Sequence, residues 1–356
     1  MSPQHRRRHL VALALALTLA LTAAACGGGK DEAKPTTTSS STPPSTAPPP
    51  TVGFPAGAGP LTGLPPHPDL ASRPALVVKI DNAPKARPQA GINQADIVIC
   101  EKVEDGVTRL FTIYQSQDAD PVGPVRSART TDIALVTPLN RPLFAYSGAN
   151  AKFDALIRSA PLVNVGHDAA SGDYRRDRGR PAPYNLFTST PSLYRRSPGG
   201  SAPQPQLQYR LDNAPLNAAG AAPAGKLHIE YRGINITTIV DYAWDGGSGT
   251  WKRSQDGTPH VDAAGGQVGP RNVVVAFTEY VDTGERDQSN TVVPEGKVVG
   301  EGEAWVFTDG RLVKGKWSKP SPESVMSFTD SAGAPIGLTP GQTWLELPPP
   351  GAASTS

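Results

Sequence analysis

The chain has 356 residues, with 34 lysines and arginines against 32 aspartates and glutamates and a formal net charge of +2. A balance this close to neutral offers no electrostatic footprint for a nucleic-acid partner. The two cysteines, Cys26 and Cys100, exclude a disulfide framework, so the folded part must rest on its own apolar core.

The amino terminus carries Arg6, Arg7 and Arg8 with no acid nearby. An apolar run of small residues, "LVALALALTLALTAAA", then leads to Cys26. Basic, then apolar, then small is the order of an export signal. The run is shorter than the about 20 apolar residues a spanning helix needs. Its Cys resembles the lipidated Cys of a bacterial lipoprotein signal, with Ala23 at the usual Leu position. Residues 1–25 are therefore read as the signal. Cys26 is read as the lipidation site, carrying palmitate-type chains. "RRRHLV" also fits a twin-arginine start, and the export route stays open. Removing three arginines with the signal leaves 31 basic residues against 32 acidic ones, so the mature chain is nearly neutral. Residues 26–60 are rich in Ser, Thr, Pro and Gly. They have too little to bury to offset chain entropy, and a disordered spacer is expected; the same composition suits O-linked sugars.

Folded sequence starts near Leu61. "ALVVKIDN", residues 75–82, reads as a buried strand. Residues 95–116 hold two β-rich runs around Asp105-Gly106, which suggests a hairpin. "SARTTDIALVTPLN" reads as a helix stopped near Pro138, "PLFAYSGA" as a strand, "KFDALIRSA" as a helix and "PLVNVGH" as a strand. This alternation predicts an α/β (or α+β) N-terminal domain over 61–195. Residues 196–225 read as a second linker. Residues 226–347 predict a β-rich C-terminal domain with a hairpin at Asp309-Gly310, and all five tryptophans fall there. Residues 348–356 read as a disordered tail. There is no internal repeat of the kind a solenoid needs.

Several of these segments carry a likeness. "LTGLP", "KIDNAPKARPQAGINQADIV", "GVTR", "GPVRSAR" and "YNLFT" resemble the YerB-like lipoproteins, a bacterial family of unknown function. "TWKRSQDGTPHVD", "NVVV", "AWVFTDGRLVKGKW" and "LTPGQTWLEL" are similar to that family's second domain. The resemblance runs from Leu61 to Leu347. It implies a lipid-anchored, two-part protein on the extracytoplasmic face of the bacterial cell membrane, and it implies no reaction. Where the family has Tyr-Glu, this chain has Ile99-Cys100, with the acid displaced to Glu101 or absent. Glu104 matches an acid of the family pattern.

The polar residues of the first domain supply the candidates for a ligand site. Asp81 and Asn82 end a strand, where ligands of open α/β sheets collect. Arg87, Arg109, Arg126 and Arg129 offer planar forks for carboxylate or phosphate. Glu104, Ser127, Arg176, Asp177 and Asn185 complete the set. Each arginine has an ordinary alternative, a brace to a neighbouring acid. Ser127 and Thr130 are better helix caps than nucleophiles. Cys100, inside "IVIC", reads as a small buried hydrophobe. Trp305 and Trp317 read as core residues rather than sugar-stacking platforms. The histidines and cysteines show no metal-ligand spacing, and no cofactor motif is present. The reading is a membrane-tethered binding or scaffolding module of the cell envelope. Its partner is an anionic or glycan-like wall component or a wall-building protein. The alternatives are a wall hydrolase or transferase pairing Glu104 with Asp81 or Asp177, and a structural lipoprotein with no small ligand.

Overall fold

The computed structural model describes residues 51–287 and 289–356. The signal 1–25, the lipidation residue Cys26 and most of the 26–60 spacer lie outside the described residues.

In chain order the first half holds β1 (Val52–Gly53), β2 (Leu76–Asp81), β3 (Ile97–Lys102), β4 (Thr108–Tyr114), α1 (Thr131–Val136), β5 (Leu143–Ala145), α2 (Ala151–Ser159), β6 (Val163–Asn164), β7 (Arg175–Arg176), β8 (Leu186–Phe187), α3 (Thr190–Tyr194) and β9 (Tyr209–Arg210). Next come β10 (Ala222–Pro223), β11 (Lys226–Arg232), β12 (Thr237–Asp245), β13 (Thr250–Gln255), β14 (Thr258–Pro259), β15 (Asn272–Ala276), β16 (Tyr280–Arg286) and β17 (Val292–Gly296). The chain closes with β18 (Gly300–Thr308), β19 (Arg311–Lys319), β20 (Ser327–Asp330), β21 (Thr343–Leu347) and β22 (Ala353–Thr355).

An 11-stranded sheet runs in the order β10-β19-β18-β15-β21-β3-β4-β2-β5-β6, with β20 beside β19. One face, through Val78, Ile80, Val98 and Leu110, packs in one core with Tyr231, Tyr242 and Trp251 of a second sheet, ordered β14-β13-β12-β11-β22. The other face, through Val77, Ile97, Ile99, Phe111 and Leu345, packs with Leu135, Val136 and Leu139 of α1 and the turn after it. β2 and β3 are buried at nearly every position, charged residues included, because both faces of their sheet are covered.

Five expectations change here. The first half is more β-rich than an α/β domain, because its three helices have only 6, 9 and 5 residues. The helix expected from Ser127 starts at Thr131. Val125 still bridges Ile80 of β2, and the Arg126 amide donates to the Lys79 carbonyl at 2.8 Å. The segments at 61–195 and 226–347 do not keep separate sheets. β21 pairs in parallel with β15 on one side and with β3 on the other. The linker at 196–225 and the tail at 348–356 are structured in part. β9 pairs with β1, Tyr209 is buried with its hydroxyl on the Leu61 carbonyl, and β22 extends the second sheet beside β11. Residues 51–60, expected within the spacer, supply β1 and a buried Pro60.

Candidate functional site

Cross-strand register builds the floor of the site. Arg109 on β4 stands opposite Asp81 on β2 and opposite Glu101 on β3, so the three side chains share one sheet face. The turn between β3 and β4 then places Glu104. Asp105 takes φ 50° and its carboxylate accepts from the Ile234 and Asn235 amides at 2.7 and 2.8 Å. Gly106 takes φ 77°, and a Cβ there would lie 2.3 Å from the Ile236 carbonyl. The turn is thereby pinned against the β11–β12 connection.

The second wall is the segment before α1. Beyond the bond to Lys79, the Ser147 amide donates to the Arg126 carbonyl at 3.0 Å, and the Ala128 amide to the Gly148 carbonyl at 3.0 Å. Arg126, Ser127 and Arg129 therefore lie beside the entry of α2. Together with Glu104 and Arg109 they line a cleft of about 460 Å³. Gly148, Asn150 and Phe153 close one side, and Arg286 and Val293 of the β16–β17 hairpin close another.

The charges in this cleft are partly matched. Glu104 Oε1 accepts from Arg129 Nε at 2.6 Å and lies 2.5 Å from Arg129 Nη2, and its Oε2 lies 3.5 Å from Arg109 Nη2. The Arg129 amide donates to Asp132 Oδ2 at 2.7 Å. Arg109 donates through Nη1 to the Ser127 carbonyl at 3.0 Å, and its buried Nε has no partner. Burial, reinforced by the Arg129 charge, lowers the Arg109 pKa to about 10. Arg126 Nε lies 2.9 Å from Asp81 Oδ2, an ion pair too misaligned to count as a hydrogen bond. Directly behind the cleft, Lys79 Nζ binds Glu101 Oε1 at 2.5 Å and Asp132 Oδ1 at 2.8 Å, all three fully buried. Burial pushes the Glu101 carboxyl up to about 7; Lys79 opposes the shift and Asp132 adds to it.

Of the sequence candidates, Glu104, Arg109, Arg126, Ser127 and Arg129 meet in the cleft, and Asp81 stands behind as the partner of Arg126. The other five are elsewhere. Asn82 is sealed between the two sheets, donating to Thr108 Oγ1 at 2.7 Å and Gln255 Oε1 at 2.9 Å. Arg87 braces Asp256 at 2.6 Å. Arg176 donates to Asn185 Oδ1 at 2.9 Å on the exposed β7–β8 ribbon. Asp177 accepts from the Gly179 amide at 2.8 Å in the turn of that ribbon. Loop polar residues look alike in sequence, and these five are held by partners of their own.

Asn82 belongs to a buried chain that continues through Gln89, His260 and Arg253 to Glu346. His260 is held neutral there, its pKa driven well below the usual value by burial and by the Arg253 charge. Cys100 borders the same chain, and burial pushes its thiol up, away from nucleophile chemistry. Trp305 and Trp317 are core residues, Trp317 donating to the Phe277 carbonyl at 2.9 Å. Among the described residues no group of three or more His, Cys, Asp or Glu is arranged to hold a metal.

Sequence reasoning missed Lys79, Asp132, Arg286 and the α2 entry. A lysine inside an apolar strand run was a usable signal for Lys79, since a buried charge requires a partner. Asn150 directly before "AKFDALIRS" was another, being a helix N-cap. Arg286 comes from a hairpin far along the chain and carries no local signal.

Residues 61–201 match the family model described as "Protein of unknown function (DUF3048) N-terminal domain", and residues 228–345 match its C-terminal domain. Over 298 residues the chain is 28% identical to "Putative lipoprotein YerB" of Bacillus subtilis (strain 168), which covers 82% of this chain and 86% of that protein. The crystal structure of the YerB protein from Bacillus subtilis aligns with a TM-score of 0.72 at 25% identity, covering 84% of this chain and 99% of the other. Among the described residues no helix is long and apolar enough to cross a membrane.

Proposed function

The chain belongs to the YerB-like, two-part DUF3048 family, and on that premise we propose that it is a cell-envelope lipoprotein, anchored through Cys26 on the extracytoplasmic face of the membrane, whose arginine cleft binds an anionic or glycan-like ligand. One observation carries the reading. Arg109, Arg126, Arg129 and Arg286 line a single cleft, and Arg109 is more than nine-tenths buried with an unpartnered Nε. Guanidinium groups gathered on one cleft offer a bound oxyanion charge-assisted hydrogen bonds. Asp81 and Glu104 already act as counter-ions to arginines, and Asp177 stands apart in a surface turn. The cleft therefore suits charge-assisted binding better than chemistry by paired carboxylates.

The test is co-sedimentation of the full chain in detergent with isolated cell-wall fragments, wild type beside Arg126→Ala and Arg126→Ala/Arg129→Ala. Binding lost in the single variant, at unchanged thermal stability, supports the reading. Equal binding by all three proteins removes the arginines from the ligand site and overturns it.

A further inference from the structure

The corner of the cleft beside α2 has a more specific character than its charge. β5 is parallel to β2 on one side and to β6 on the other, and α2 is the crossover between β5 and β6. The entry of α2 therefore lies at the carboxyl end of a parallel strand, the place where α/β units gather anions. Asn150 caps the helix by accepting from the Phe153 amide at 2.9 Å. Gly148, Ala149 and Asn150 line the cleft, and their amides donate to no described group. Opposite them stand Arg109, with its buried and unpartnered Nε, and Arg126, whose only close acid is Asp81. On this wall Arg109, Arg126 and Arg129 face two carboxylates, Glu104 and Asp81, while Asp287 lines the cleft on the hairpin side and Asn150 Nδ2 lies 3.5 Å from Glu285 Oε2.

We propose, resting on the anion-binding reading above, that this corner seats the phosphate of a phosphate ester. Glu104 shows how a carboxylate fits here: one of its oxygens takes the fork of Arg129 and the other leans toward Arg109. A ligand carboxylate would repeat that planar arrangement and leave donors unused. Donors approach instead from three elements: β4 through Arg109, the segment before α1 through Arg126, and the α2 entry through its backbone amides. A tetrahedral oxyanion presents oxygens in three directions and can accept from all of them.

Titration calorimetry of the full chain in detergent, at constant ionic strength, compares glycerol 3-phosphate and inorganic phosphate with acetate. Both phosphates bind about tenfold or more tightly than acetate, and Arg126→Gln weakens phosphate by about tenfold to a hundredfold, the loss of one charge-assisted contact. Arg126 is part-exposed, so the variant folds, and a thermal melt confirms it. Arg126→Lys, which keeps the charge but not the fork, falls between the two. Vesicles containing phosphatidylglycerol distinguish the source: a lipid headgroup gives vesicle binding that glycerol 3-phosphate displaces, and a soluble or polymeric ester gives none. Acetate binding as tightly as phosphate, or an Arg126→Gln variant that binds phosphate like wild type, overturns the assignment. Wall fragments that bind through Arg126 while phosphate does not would sink this inference and leave the broader reading standing. Loss of both sinks both.

Discussion

Glu346→Leu is the substitution with the largest consequence for the fold. Glu346 lies on β21 at the centre of the shared sheet, fully buried. Its carboxylate accepts from the hydroxyls of Tyr231 and Tyr242 at 2.6 and 2.7 Å and lies 3.4 Å from Arg253 Nε and Nη2. Those three partners sit on β11, β12 and β13, so one side chain ties the second sheet to the first. Removing it strands the fully buried Arg253 guanidinium, which costs about 3–5 kcal/mol. The tyrosine hydroxyls need no separate addition, because neighbouring effects in one network are not additive. Taking about 4 kcal/mol, and roughly 300 residues unfolding as one unit from Pro49 to Ser356, Tm falls by about 6 °C. The assay is urea unfolding followed by tryptophan fluorescence and far-UV circular dichroism; Trp344 lies under Arg253, 4.8 Å from ring centre to guanidinium carbon. Both probes shift together in one transition, and Arg253→Leu/Glu346→Leu regains part of the loss because no charge is left unpaired. A loss below about 1 kcal/mol, or separate transitions for the two halves, would refute the view that this ion pair joins them.

Burial raises Glu101 from 4.5 to about 7, so the folded state holds an extra proton in that window and stability falls as pH rises through it. Glu101→Gln removes that slope and gains up to about 3 kcal/mol on wild type between pH 4.5 and 8 in urea titrations, and parallel profiles would contradict this. Gly106→Ala forces a Cβ to 2.3 Å from the Ile236 carbonyl at φ 77° and loses more than about 1 kcal/mol; an unchanged melting temperature would show that the turn can relax. Removing residues 349–356 strips β22 from β11, and hydrogen exchange quickens at Lys226 and Glu230, whose amides donate to Ser356 and Ala352; unchanged protection would mean β22 adds nothing there. Cys26→Ser moves the protein from the membrane to the soluble fraction, and retention in the membrane would displace Cys26 as the anchor.

The local parts of this fold were legible because their signals are local. Asp105-Gly106 and Asp309-Gly310 both take positive φ, as tight hairpin turns demand, and both join antiparallel strands. "ALVVKIDN" and "KFDALIRSA" became β2 and α2. The position of β21 was not legible. It joins residues 343–347 to residues 97–101, and neither run carries a mark that selects its neighbour or register. The site divides in the same way. Glu104, Arg109, Arg126, Ser127 and Arg129 lie within one span of chain and arrive together. Arg87 found its acid, Asp256, on the far side of the sequence, which no local pattern announces.

The same register separates the first described strand, β1, from the cleft. β3, β15 and β21 are parallel to one another where they pair, with Ile97, Asn272 and Thr343 at one end and Glu101 and Leu347 toward the other. The first described strand, β1, enters at the former end. Val52 pairs with Arg210, Tyr209 bridges Leu338, and the neighbouring Thr339 carbonyl accepts from Asn272 Nδ2 at 2.8 Å. Arg109 stands opposite Glu101, at the latter end. A strand of five or six residues spans about 17–20 Å, so the covalent connection toward Cys26 and the mouth of the arginine cleft leave opposite ends of the sheet. It follows that shortening the spacer between Cys26 and Thr51 should change what the cleft can reach while leaving its affinity for a small phosphate ester unaltered.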